Sequence, residues 1–231
     1  MTAQLLRQGR RDKGLSQTRA ALSLRVSQSY LAMLESGKRR LTPKLAHRAM
    51  RVYGLSPAML PHSALPEQPY VDPDTLMHDL GSLGYPGFSY ARSPRIKTKN
   101  PADVLLTALA QPNLEARLVE ALPWLLLKYT DLSHDWLVRE SRLRNLQNRL
   151  GFVASLARGV AEKANDEKAQ LLKRLEDELE HSRLAREDTL CKTSASESER
   201  RWLRQHRPER ARHWNVLTDW KPETLRYATA V

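Results

Sequence analysis

The sequence predicts an all-α fold in three parts, and three observations predict it. Apolar residues recur at steps of three and four through the first 54 residues and again from residue 101 onward, which is the period of helices with one buried face. Between these regions, Pro57, Pro61, Pro66, Pro69, Pro73, Pro86 and Pro94 arrive together with Gly81, Gly84 and Gly87, the composition of a connector. The charge is divided along the same line: residues 1–60 hold twelve Lys and Arg against Asp12 and Glu35, whereas the rest holds 26 basic and 24 acidic residues. A chain of 231 residues also exceeds the roughly 60 needed for one small helical domain. The expected organisation is a helical domain over 1–60, a Pro/Gly-rich basic connector over 61–100 and a second helical domain over 101–231.

The first helix is predicted from Ala3 to Lys13, with Leu5 and Leu6 inward, Arg7, Arg10 and Arg11 on the wetter side, and Gly14 as its stop. Ser16 is the cap signal for a second helix ending at Leu24, because its hydroxyl can accept from a free amide of the next turn. Ala20, Ala21 and Leu24 form its inner face. Ser27 caps a third helix in which Tyr30, Leu31 and Leu34 face inward and Gln28, Ser29 and Met33 are left for other contacts; Gly37 supplies the left-handed stop. Only Arg25 and Val26 lie between Leu24 and the cap Ser27, so the two helices make a helix-turn-helix. After the adjacent cations Lys38, Arg39 and Arg40, Thr42-Pro43 opens a fourth helix buried through Leu45, Ala49, Val52 and Tyr53 and stopped by Gly54.

From about Leu5 to Pro57 this pattern resembles the Cro/C1-type helix-turn-helix regulators, the XRE family. The resemblance is carried by KGLSQ at 13–17, VSQSYLAMLESGKR at 26–39 and LTPKLAHRAMRVYGLSP at 41–57. It implies a five-helix domain whose third helix enters the major groove of double-stranded DNA. Ser27, Gln28, Ser29 and Met33 would then read base edges, Gln28 foremost because a glutamine amide can pair with N6 and N7 of adenine. Gln17, Arg25, Lys38, Arg39 and Arg40 would hold phosphates, and Arg10 and Glu35 would brace the first helix against the third. One departure is Arg25, at a turn position that is often glycine; a left-handed arginine costs about 1 kcal/mol, so the turn differs or the residue has a use. A single such helix reads few base pairs, so two copies on a palindromic operator are expected.

In the connector, Ser93 to Asn100 (SPRIKTKN) carries cations and no acid and is expected either to follow DNA backbone or to be disordered. The second half predicts a helix from Asn100-Pro101 to Pro112, another through Leu114, Leu118 and Leu122 that breaks or kinks at Pro123, and a long helix after Ser133. In that long helix Leu143, Leu146, Leu150, Val153, Ala157 and Val160 form a seam, and Leu172, Leu175 and Leu179 continue it beyond a turn at Asn165-Asp166. This is an antiparallel helical hairpin whose seam is internal or joins two copies. The end of the chain opens on a capping pattern at Ser196 and is rich in arginine and tryptophan; Trp202, Trp214 and Trp220 are candidates for a partner interface, with core packing as the alternative.

The residues assemble no catalytic constellation, so no enzyme, cofactor or metal site is expected. Glu178 and His181 have metal-ligand spacing without a second pair, His206 and His213 sit among arginines, and Cys191 has neither a disulfide partner nor an evident base. No apolar run long enough to cross a membrane is present and none follows Met1, which predicts a cytoplasmic protein. The expected function is that of a DNA-binding transcriptional regulator acting as a repressor. Its helical half loosely resembles antitoxins of the same family, so a protein toxin is one candidate partner, and a ligand-responsive repressor without a toxin is the alternative.

Overall fold

The computed structural model describes residues 1–63, 70–93 and 96–227. They fold as an all-α protein in two compact units, one of residues 1–63 with 97–100 and one built from the remainder. Among the described residues the strands are a single parallel pair of two residues each, β1 (Asp188–Thr189) and β2 (Val216–Leu217).

In the first unit the elements are α1 (Ala3–Asp12), α2 (Gln17–Leu24), α3 (Gln28–Glu35) and α4 (Pro43–Tyr53), with a 3-10 turn at Pro57–Met59 in the fifth helical position. Thr2, Ser16, Ser27 and Thr42 each accept a backbone N–H from the first turn of the helix that follows, and such caps contribute typically about 1 kcal/mol each. Leu6, Ala20, Ala21, Leu24, Leu31 and Leu34 meet Leu45, Ala49 and Tyr53 in one core. Ala20 and Ala21 present so little side chain that α2 can lie close against its neighbours. Arg10 departs from the expected wet face: it is buried, because its guanidinium is paired inside the unit.

Residues 61–100 are not one connector. Asn100 donates its side-chain amide to the carbonyls of Ala58 and Leu60, at 2.9 and 2.8 Å, and the His47 ring bridges the carbonyls of Pro43 and Thr98, so 97–100 pack onto the first unit. The last residues of SPRIKTKN are therefore ordered against protein, while Pro94 and Arg95, like Pro66 and Pro69, lie outside the described residues. Val71 to Ser93 belong to the second unit instead. There α5 (Pro73–Ser82) packs against a 3-10 segment at Pro86–Ala91, and Tyr85 stacks edge-on against Trp124 at 5.4 Å. Prolines at Pro73 and Pro86 open helical segments, where a missing N–H costs nothing.

The second unit continues with α6 (Pro101–Leu109), α7 (Ala116–Lys128), α8 (His134–Leu143), α9 (Gln147–Lys163) and α10 (Lys168–Glu180), followed by α11 (Glu197–His206) and α12 (Glu209–His213). Helix α7 runs unbroken through Pro123. The long helix expected after Ser133 is two: Asn145 takes φ +56° and the amides of Asn145 and Leu146 fold back to the carbonyls of Arg142 and Ser141, ending α8. Asn165, at φ +50°, ends α9 in the same way and sends α10 back along it. Leu146, Leu150, Val153, Ala157 and Val160 are buried, as are Leu172, Leu175 and Leu179, so the seam is internal to one chain; Leu143 alone of the set is exposed. Helix α9 is buried almost all round, which is the property of a central helix.

At its start three polar residues tie the loop after α10 to the body. Gln147 donates to the Ser182 carbonyl, Asn148 pairs with both backbone groups of Leu184, and Arg149 holds Asp188 with two hydrogen bonds of 2.6 and 2.9 Å while also donating to Leu109 and Gln111. Trp214, a candidate for the partner interface, is instead core: it is 1% exposed, and its ring lies where a Cβ on Gly151 would be 2.5 Å away. Trp202 and Trp220 reach the surface.

Candidate nucleic-acid interface

The turn between α2 and α3 forms around Arg25 in the left-handed conformation, φ 54° and ψ 51°. Its amide bonds to the Leu22 carbonyl and that of Val26 to the Ala21 carbonyl, both at 3.0 Å, so the backbone is the one a glycine would give and the arginine bears the steric cost. Val26 then packs onto the core. Arg48, on α4, donates to the Leu24 carbonyl at 2.6 Å and closes the end of α2; nothing in its sequence context marks this.

The pair expected between α1 and α3 is formed. Arg10 donates through Nε and Nη2 to the two Glu35 oxygens at 2.6 and 3.0 Å, and through Nη1 to the Leu15 carbonyl at 2.8 Å. The side chains are 11% and 3% exposed, so this is a buried, bidentate pair. Burial pushes the Glu35 carboxyl upward, but hydrogen bonds from Arg10 and Gln17 and the charge of Arg10 outweigh it and hold the group below its ordinary range. The neighbouring Tyr53 phenol is pushed up to about 12, first by burial and then by the charge of Glu35.

From Glu35 a chain of hydrogen bonds runs outward. Gln17 Nε2 donates to Glu35 Oε2 at 3.0 Å, and Gln28 Nε2 donates to Gln17 Oε1 at 2.9 Å. An ionised carboxylate can only accept, so Gln17 must turn its NH2 toward Glu35 and its carbonyl toward Gln28, and Gln28 must then present its own NH2. The buried acid thus fixes the orientation of both amides. Gln28 stays exposed, with its carbonyl oxygen and one N–H unspent. Sequence reasoning assigned Gln17 to phosphate alone and missed this second task; one N–H of its amide remains for a phosphate oxygen.

The other expected residues divide. Ser29 is exposed at the start of α3. Ser27 is exposed, but its hydroxyl is spent as the cap, accepting from Tyr30 N at 3.2 Å and lying 3.3 Å from Ser29 Oγ. Met33 is half-buried. Arg25, Lys38, Arg39 and Arg40 are exposed, and among the described residues none of them pairs with an acid. Gly37, at φ +75°, turns the chain after α3, and the Arg39 amide returns to the Met33 carbonyl at 3.2 Å, which sets the three cations beside the end of that helix.

Elsewhere the candidate chemical groups are dispersed. Burial pushes the Cys191 thiol up to about 11, the reverse of an activated nucleophile. Glu178 on α10 and His181, the residue just after that helix, are exposed, His213 bonds to Glu180 at 2.8 Å, and His206 stacks on Trp202 at 4.4 Å. Among the described residues no cluster of His, Cys, Asp or Glu is placed to hold a metal, and no helix is long and apolar enough to cross a membrane.

Residues 3–62 match the family model described as a helix-turn-helix domain, the span that contains α1 to α4 and the turn at Pro57–Met59. This match agrees with the XRE-type resemblance and supports DNA binding by the first unit. No curated protein and no solved structure matches the chain.

Proposed function

We propose that this chain is a sequence-specific repressor that binds a palindromic operator as a homodimer and is not an enzyme. The observation that carries the reading is the relay from Arg10 through Glu35 and Gln17 to Gln28. It leaves Gln28 with one acceptor and one donor side by side on the exposed start of α3, which is the pattern needed to accept from N6–H and donate to N7 of adenine. Ser29 stands beside it, and Arg25, Lys38, Arg39 and Arg40 supply phosphate contacts that position without specifying.

The test is a pair of substitutions titrated on an operator selected from random duplex DNA and on unrelated duplex. Gln28→Ala is expected to cost about 1–3 kcal/mol on the operator and almost nothing on unrelated DNA. Arg39→Ala is expected to weaken both and to lower the salt slope by about 0.9. Equal losses on both DNAs for Gln28→Ala would overturn the assignment of α3. The leucine seam is spent inside one chain, so the proposed dimer must use another surface, and light scattering with and without operator measures the stoichiometry. An antitoxin role for residues 101–231 is tested by co-expression with the product of the adjacent gene: a stable complex or rescued growth supports it, and neither outcome alters the DNA-reading proposal.

A further inference from the structure

In the second unit, the start of α7, residues 190–192 after β1, α11 and residues 217–226 enclose a half-open cavity of about 650 Å³. That volume lies within the roughly 300–1,000 Å³ of small-ligand sites. Its base is apolar, formed by the buried Val119, Leu190, Leu203 and Leu217. Trp202, which is exposed and carries His206 stacked on one face, and Trp220, which is partly buried, line it as well, so two large apolar side chains border a concave space.

The charged residues of the lining are of two kinds. Lys192 pairs with Glu199 and Arg117 with Glu115 at 2.7 Å, while Glu120 accepts the backbone N–H of Arg226 and keeps its charge. The Asp219 carboxylate and the Arg226 guanidinium keep theirs as well. Both are exposed residues of the lining, neither has an ionic partner among the described residues, and they do not pair with each other. A purely apolar ligand would leave these charges idle beside it, and a simple anion or cation would meet repulsive as well as attractive groups. Only a ligand with both signs and an apolar body engages all of the lining.

We propose that this cavity binds a small zwitterion with an apolar body, of the hydrophobic amino acid or dipeptide class, its carboxylate on Arg226, its ammonium on Asp219 and its body against Trp202 and Trp220. Recognition of both ends by charge-assisted hydrogen bonds makes each end a condition of binding.

Calorimetric titration of the full chain with leucyl-phenylalanine, its C-terminal amide and its N-acetyl form separates the contributions, since the three share one body and differ by one charge. The free dipeptide is expected to bind with one-to-one stoichiometry and each capped form at least tenfold more weakly. Asp219→Asn should abolish the preference for the free over the N-acetyl form only, and Arg226→Gln the preference for the free form over the amide only. Both positions are exposed, so the variants fold, which their unchanged far-ultraviolet circular dichroism verifies. No saturable heat from any of the three probes, equal affinity for all three, or the same preferences in both variants would overturn the proposal. Operator binding by the two variants is expected at the parental level, so failure here is distinguishable from failure of the repressor reading.

Discussion

The two units use charge in opposite ways. In the second, arginines and acids close on each other: Arg149 with Asp188, Arg158 with Glu162 and Glu176, Arg183 with Glu180, and Arg204 with Glu187 and Glu197. In the first, one buried pair, Arg10 with Glu35, joins α1 to α3, while Arg25, Lys38, Arg39 and Arg40 remain open at the surface. The near balance of charge after residue 60 is thus a statement about packing, and the excess before it is a statement about a polyanionic partner. Open cations repel one another and cost stability, a penalty that a bound polyanion would relieve, whereas the pairs of the second unit serve its own fold.

The deepest break is expected at the buried pair of the first unit, Arg10 with Glu35. Arg10→Ala strands the Glu35 carboxylate in a buried site and is expected to cost about 3–5 kcal/mol of the first unit's stability. All five tryptophans lie outside residues 1–60, so tryptophan fluorescence follows the second unit alone while circular dichroism follows both. The substitution should advance the dichroism transition in urea and leave the fluorescence transition in place; a shift of both would join the units energetically.

The same pair gives the first unit an acid dependence. The Glu35 carboxyl titrates below its ordinary value of 4.5 in the folded unit, so its contribution is complete above 4.5 and is lost as pH falls below it through the folded value. Melting from about pH 6 to about pH 3 should show this loss, and Glu35→Gln should flatten the dichroism-detected dependence of the first unit. An unchanged slope in that variant would remove Glu35 from the account.

The second unit is expected to break at a contact rather than at a charge. Gly151→Ala places a methyl group 2.5 Å from ring atoms of Trp214, on α9, and overpacking of this kind costs about 1–3 kcal/mol, read from the fluorescence transition. The smallest effect has two signs. Arg25→Gly relieves the left-handed strain and should stabilise the first unit by about 1 kcal/mol, while weakening binding to any duplex and lowering its salt slope by about 0.9. Gain in stability without loss of binding would mean that Arg25 touches no phosphate.

Legibility followed the range of the interactions. The caps at Ser16, Ser27, Thr42 and Ser196 and the stops at Gly14, Gly37 and Gly54 were readable because each acts within one turn of chain. The stop at Asn145 was missed because asparagine is the second choice for left-handed geometry, and the apolar spacing of Leu143, Leu146 and Leu150 runs straight across it. Of the candidate site, the exposed start of α3 and the cations after Gly37 were legible from order along the chain. The second task of Gln17, the cap that Arg48 places on Leu24 and the burial of Arg10 were not, because each depends on a partner on another helix.

By itself, then, the sequence determined an all-α chain with a basic helix-turn-helix at its start, since helical period, capping and charge are properties of neighbours. Tertiary structure alone decided that the leucine seam is internal, that Trp214 is core while Trp202 and Trp220 line a cavity, and that residues 97–100 return to the first unit. It also decided which way the Gln28 amide points. The physical reason is the same in each case: burial and hydrogen-bond partnership across helices are set by groups far apart in the chain, and a residue's type limits such partners without choosing among them.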